Sequence, residues 1–376
     1  MDNRMTQSTR RTLLQTGFAV AVAQALPPAA RAQAAPAEPR FEPKVGPWRS
    51  FEVTTTVNVA DAKGATQLWL PVPDLNNDYQ RSLDSKWTSN AVSARLVSDP
   101  KAGVRMLYAE FPAGVTPTLT FTSSVQTRNR AVDWSKPIAA HEDPAVLKAN
   151  LVATELQPVD GIVRRTALIA TQGAETDVDK VRALYNWMVA NTYRDPKTRG
   201  CGNGAIKIML ESGNLGGKCA DLSALFVAMC RSVGVPARDV YGLRVTACAF
   251  GYRELGGNPA NLKGAQHCRA EVYHTQYGWV AMDPADVLKV MRQERPEWIK
   301  DPNDPLIAPV NKTLFGAWEG NWVGWNTAHD IRLPGSDAKS TLPFLMYPQG
   351  ESDGGRFDDL APDSFRYTIA SRELTA

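Results

Sequence analysis

The sequence predicts an α+β chain in which a small β-sandwich precedes a domain of helices packed on an antiparallel sheet. Three observations carry this. Thr-rich segments alternate with period two over about 48–130. Apolar residues recur with helical spacing from about 140. Strand-like segments then return after a glycine-rich turn at Leu215–Cys219. A chain of 376 residues is expected to form two or three domains.

Residues 1–34 read as an export address. Thr9-Arg10-Arg11-Thr12-Leu13-Leu14 sets paired arginines ahead of leucines, and Phe18 to Leu26 forms a mild apolar run. Ala30-Arg31-Ala32 and Ala32-Gln33-Ala34 offer small residues at the spacing a signal peptidase reads. This is the pattern of a twin-arginine signal, a receptor-read address rather than an anchor. It predicts a periplasmic or secreted protein with no membrane insertion after signal removal. No stretch approaches the roughly 18–20 apolar residues of a membrane-spanning helix.

Residues 35–47, rich in Ala and Pro, read as a linker, and 48–135 as the sandwich. Phe51, Val53, Thr55, Val57 and Val59 share one strand face, with Thr54, Thr56 and Asn58 on the other. Val104, Met106 and Tyr108 alternate likewise, as do Leu119, Phe121, Ser123 and Val125. In the second domain, 136–300, Val181, Leu184, Tyr185 and Met188 follow a helical period behind a capping box at Thr176 and Asp179. A helix beginning near Cys219 has Leu222, Leu225, Phe226, Met229 and Val233 as its apolar stripe. Gly234 and Pro236 end it. Strands are expected at about 239–248, 267–274 and 279–283. The Trp- and Pro-rich remainder, 301–376, carries strand-like Phe344–Tyr347 and Phe365–Ile369 and is expected to pack on the core.

Charge narrows the partners. The net charge is +3, from 42 basic and 39 acidic residues. Taking away the four arginines and one aspartate of the first 32 residues leaves 38 of each sign. A neutral chain with no basic run gives no electrostatic reason to expect nucleic acid. The five cysteines, Cys201, Cys219, Cys230, Cys248 and Cys268, leave at least one free thiol. A disulfide among Cys201, Cys248 and Cys268 stays open. No C-x-x-C or Cys/His cluster has zinc spacing, so neither a metal nor a cofactor is expected.

The candidate chemistry centres on Cys219. A thiol at a helix start, behind Gly216-Gly217-Lys218, sits near unpaired N–H groups and the positive dipole end, which favours thiolate. Its own N–H could face a developing oxyanion. Cys230, mid-helix, reads as a core residue. Next comes a hairpin. If its turn centres on Thr275, Tyr273 pairs with Tyr277, Glu271 with Trp279, and His267 falls opposite Asp283. Opposed Cβ atoms lie about 4.5–5.5 Å apart, close enough for a carboxylate to orient an imidazole. Cys219, His267 and Asp283 then supply nucleophile, base and orienter. His274, on the other strand face, is expected in solvent. Asn326, His329 and Asp330 read as structural caps, with lining the substrate cleft or supplying another orienter as the alternatives. Tyr193, Arg269 and Trp279 are candidates for substrate binding, Tyr193 also as an oxyanion donor.

Here the sequence resembles a family. Gly216-Gly217-Lys218-Cys219-Ala220-Asp221-Leu222-Ser223-Ala224-Leu225-Phe226, then Arg231-Ser232-Val233-Gly234-Val235-Pro236-Ala237-Arg238, is similar to the nucleophile segment of the transglutaminase-like superfamily. His267-x-x-x-Glu271, Gly278-Trp279-Val280 and Asp283-Pro284 resemble its histidine and aspartate strands, in matching order, over roughly 175–290. The resemblance implies a papain-like core with Cys219 as nucleophile, His267 as base and Asp283 as orienter. An aromatic residue often found two positions after the histidine is Arg269 here, so the pocket is not carried over. The implied chemistry is attack on an amide of a protein or peptide substrate through a thioester, with hydrolysis favoured and protein cross-linking the alternative. A non-catalytic peptide- or glycan-binding module on the same fold is the reading of another class.

Overall fold

The alternation of the first strand becomes one wall of the sandwich core. In a computed structural model, which describes residues 40–374 apart from 61, 339, 354 and 363, the strand Arg49–Asn58 buries Phe51, Val53 and Val57. Its outward threonines form a cross-strand ladder, with Thr54 Oγ1 2.9 Å from Thr122 Oγ1. The export signal expected over 1–34 lies outside the described residues.

Two antiparallel sheets make the sandwich. One runs Arg366–Leu374, Arg49–Asn58, Thr118–Thr127 and Gln80–Ser89. The other runs Gly355–Arg356, Gln349–Ser352, Thr66–Pro71, Arg105–Phe111 and Ser93–Ser98. The C-terminal residues 301–376 therefore divide. Trp322–Asn326 joins the sheet of the second domain, whereas Gln349–Ser352 and Arg366–Leu374 complete the two sandwich sheets. Phe344–Tyr347 is irregular, and the strand begins at Gln349 instead. Arg49 grips Glu373 with two hydrogen bonds of 2.7 Å, tying the sandwich's first strand to its last. Val104, Met106 and Tyr108 pack with Trp69 under Ile331, Leu333 and Leu345, so Arg105–Phe111 is apolar on both faces.

The second domain places its helices against the sheet Gly278–Met282, Gln266–His274, Ala237–Arg244 and Trp322–Asn326. Thr176 and Asp179 form the expected capping box of the helix Asp177–Asn191, which buries Val181, Leu184, Tyr185 and Met188. The helix Cys219–Ser232 is buried at every position, not along one stripe. It packs on the sheet on one side and on the helices Gly161–Ala170 and Asp177–Asn191 elsewhere. Gly234, at φ 87°, takes the left-handed conformation that ends it. Among the described residues no helix is long and apolar enough to cross a membrane.

Candidate active site

Cys219 is the first residue of its helix, so its N–H has no partner one turn back and its sulfur lies at the positive dipole end. The approach requires glycine. A Cβ on Gly216 would fall 2.3 Å from a Tyr193 ring carbon, and one on Gly217 would fall 2.6 Å from Asp221 Cβ. Asp221 gathers the loops around the thiol. Its carboxylate accepts from the N–H groups of Asn203 and Gly204 at 3.0 Å and of Lys218 at 3.1 Å. The Ala220 N–H donates to the Cys201 carbonyl at 2.9 Å, which draws Cys201 alongside.

Cys201 Sγ donates to the Gln266 carbonyl at 3.4 Å, and Cys201 and Cys268 are the neighbours that most lower the Cys219 thiol. All five cysteines are free, which answers the open question of a disulfide among Cys201, Cys248 and Cys268.

His267 and Asp283 meet, though not by the expected register. Tyr273 pairs with Trp279 and Glu271 with Ala281, a shift of two residues that keeps each side chain on its face. The turn centres on Gln276, one residue beyond Thr275: His274 pairs with Gly278, whose φ of 70° suits glycine. Asp283 therefore lies past the strand end, as the cap of the helix Pro284–Gln293. From there its Oδ2 reaches His267 Nε2 at 2.8 Å, while its Oδ1 accepts from the Asp286 N–H at 3.0 Å. A second carboxylate, Asp286, stands 3.3 Å from the same ring nitrogen. With Nε2 facing carboxylates, Nδ1 is the nitrogen left for the thiol.

Arginines close the charge behind this pair. Arg244 donates to Asp286 at 2.5 Å and to the Leu255 carbonyl at 2.8 Å. Arg269 Nε lies 3.6 Å from Asp283 Oδ2, with its guanidinium between the rings of Trp318 and Trp322. The Trp322 indole donates to the His267 carbonyl at 2.9 Å and fixes the strand. His267, Asp283 and Asp286 have ligand atoms within 4.8 Å of one another, the group among the described residues best able to hold a metal ion. Two guanidiniums already supply positive charge there, so the cluster suits a proton better than a cation.

Burial alone would discharge His267 and the thiol, yet the net shifts run the other way. Burial and Arg244 oppose the imidazolium, but Asp286 and Asp283 outweigh them and raise its pKa to about 9. The Cys219 thiol is held well below its ordinary value, first by Cys201 and Cys268, then by His267, against burial. Asp283 is pushed up by burial and by Asp286, whereas Asp286 is drawn down despite burial by Arg244 and His267. The arrangement favours a thiolate beside an imidazolium.

A cleft of about 250 Å³ opens on Cys219 and His267. The three substrate-binding candidates lie elsewhere. Tyr193 donates its hydroxyl to Asn214 at 2.8 Å and lines a separate hollow with Trp298. Arg269 is buried behind the carboxylates. Trp279 donates to Glu142 at 2.7 Å under the Arg238 guanidinium and lines another hollow. Each has the size and polarity of a cleft residue, but packing partners distant in sequence consume it.

His274, expected in solvent, is buried and neither ring nitrogen has a partner. The segment around Trp134 covers it, anchored by hydrogen bonds from Ile138 and Ala140 to Gln276 and Thr275. Burial lowers its pKa to about 4. Asn326 donates to the Leu345 carbonyl at 2.9 Å, Asp330 accepts from the Glu155 N–H at 3.0 Å, and His329 lies 3.2 Å from Asp239. These are structural contacts.

Asp286, Arg244, Cys201 and Cys268 were missed. For Asp286 a signal existed: Asp283-Pro284-Ala285-Asp286 is a helix start with acidic residues at the cap and third position. Nothing local marks the other three.

A cysteine at a helix start, facing a histidine held by carboxylates on an antiparallel sheet, is the layout of a papain-like thiol centre. The chain belongs to the transglutaminase-like superfamily. The model of that superfamily matches residues 164–284. An uncharacterized protein of Haemophilus influenzae is 32% identical over 344 residues, spanning 86% of this chain and 91% of the relative. A crystal structure from Cytophaga hutchinsonii, provisionally described as a cysteine protease, superposes with a TM-score of 0.53 at 15% identity. It covers 89% of this chain and 93% of its own, and shares the fold.

Proposed function

We propose that this protein is an exported thiol enzyme that breaks amide bonds through a thioester on Cys219, with water as the preferred acceptor. The observation that carries the reading is Cys219 at a helix start, sharing one cleft with His267, whose Nε2 lies 2.8 Å from Asp283 and 3.3 Å from Asp286. The thiolate attacks the amide carbonyl carbon, and the tetrahedral intermediate collapses as imidazolium passes its proton to the leaving amine. Neutral His267 then takes a proton from water, hydroxide attacks the thioester, and the acid leaves as the thiolate re-forms. Asp283 and Asp286 hold the ring for both transfers. Export rests on the Arg10-Arg11 signature of the leader.

The test is mass spectrometry of protein mixtures incubated with wild type and with Cys219→Ala. The expected result is cleaved or deamidated products with wild type alone, and an acyl adduct on Cys219 after acid quench. Gln–Lys isopeptides without hydrolysis would overturn the choice of water. Identical products from both proteins would overturn the enzyme reading. Fractionation of cells expressing Arg10→Lys with Arg11→Lys tests export, since the altered precursor should stay in the cytoplasm.

A further inference from the structure

The cleft on Cys219 is charged in one sense. Its wall includes Arg194, Arg244, Lys263 and Lys289, and among the described residues no Asp or Glu lines it. Two of the four cations are neutralised from behind. Arg244 is paired with Asp286, and Lys289 lies 3.3 Å from Glu254, which stands outside the wall. The other two are not. Arg194 donates to the neutral Gln293 amide at 2.9 Å, and the Lys263 ammonium rests 4.6 Å over the Tyr367 ring. Among the described residues neither has a carboxylate partner. Gln266 also lines the cleft, at 6% exposure, and its Nε2 has no hydrogen-bond partner. A buried amide donor left unpaired costs about 1–3 kcal/mol, which a ligand acceptor would recover.

We infer that the cleft takes acyl substrates bearing a carboxylate close to the scissile amide, held by Lys263 and Arg194, with Gln266 as neutral donor. This rests on Cys219 being the nucleophile of the preceding section. The cleft is small, about 250 Å³, so the anion lies within a residue or so of the reacting carbonyl. Such a carboxylate belongs either to an acidic side chain or to the free end of a short peptide. Cations without counter-charges in a walled cleft focus an anion toward the thiolate's own pocket, and salt weakens the effect.

The experiment compares alkylation of Cys219 by iodoacetate and iodoacetamide, each normalised to the same pair of rates for N-acetylcysteine. The inference predicts a normalised preference for the anionic reagent of roughly tenfold at low salt. That preference should shrink in concentrated NaCl and fall roughly threefold in Lys263→Gln and in Arg194→Gln. A ratio equal to that of N-acetylcysteine, unmoved by salt or by either variant, would overturn it. If neither reagent touches Cys219, the nucleophile reading fails, and the cleft is still tested by calorimetry on Cys219→Ala. There N-acetylglutamate must bind more tightly than the uncharged N-acetylglutaminamide, and equal or weaker binding overturns the inference. Protection of Cys219 by C-amidated Glu peptides, against free-acid peptides without acidic side chains, tells which carboxylate is taken. Protection by neither contradicts the inference.

Discussion

Two strands of this protein obey opposite rules. Arg49–Asn58 buries one face and leaves its threonines to solvent or to one another, whereas Gln266–His274 is buried at all nine positions although five of its residues are polar. On the first strand a polar residue is stable by facing out. On the second the charged groups are held by partners from distant parts of the chain, Arg130 and Arg238 for Glu271 and Asp283 and Asp286 for His267, while the His274 ring is buried without one. The sandwich strand is therefore tolerant and the histidine strand is not.

The sharpest break in that contrast is Glu271→Ala, which removes the buried carboxylate that Arg130 and Arg238 share and leaves Arg130, among the described residues, only the exposed Asp78 carboxylate at 3.7 Å. Chemical denaturation should show a loss of about 3–5 kcal/mol, the usual consequence of unpairing buried charge. A loss below about 1 kcal/mol would mean water reaches Arg130, which the burial of this cluster does not allow.

Next in size is the carboxylate pair. Cys219→Ala isolates the His267–Asp283–Asp286 group for a stability profile. The folded ring titrates at about 9 against 6.5 for the free side chain, so its contribution is complete below pH 6.5 and disappears as pH rises through 9. The span corresponds to about 3 kcal/mol. Asp286→Asn should flatten most of that slope and, in the Cys219 protein, slow alkylation at neutral pH by roughly tenfold. An unchanged profile would place the positive charge elsewhere.

A smaller effect is expected from Cys201→Ala. It removes a thiol that lowers the Cys219 pKa but leaves His267 in place, so alkylation at pH 6 should slow roughly threefold while the rate above pH 9 hardly changes. Smallest of all, Thr122→Val on the sandwich should cost less than about 1 kcal/mol, because Thr54 can turn its hydroxyl to water.

The same contrast explains what was legible in the sequence. Strand alternation, the capping box at Thr176 and the glycine-rich turn before Cys219 are local signals written in neighbouring residues, and each lies where the sequence places it. His267 and Asp283 were also readable, because a two-residue register shift preserves the face even though it moves the aspartate onto a helix cap. The C-terminal strands show a period but cannot name their partner, so their place in the sandwich was hidden. Cys268 adjoins His267, and alternation assigns it to the opposite face, which concealed its reach to Cys219. Arg269, Trp279 and Tyr193 misled for the converse reason. Polar aromatic and guanidinium groups beside a catalytic motif look like substrate contacts until their partners are known.

The central claim is a thiolate and imidazolium sustained by buried carboxylates, and the rate of iodoacetamide alkylation of Cys219 across pH tests it most directly. The account predicts fast, selective labelling that persists well below the ordinary thiol pKa of about 8.5 and collapses in His267→Ala. Labelling that rises only near that ordinary value, with the same profile in wild type and His267→Ala, would contradict it.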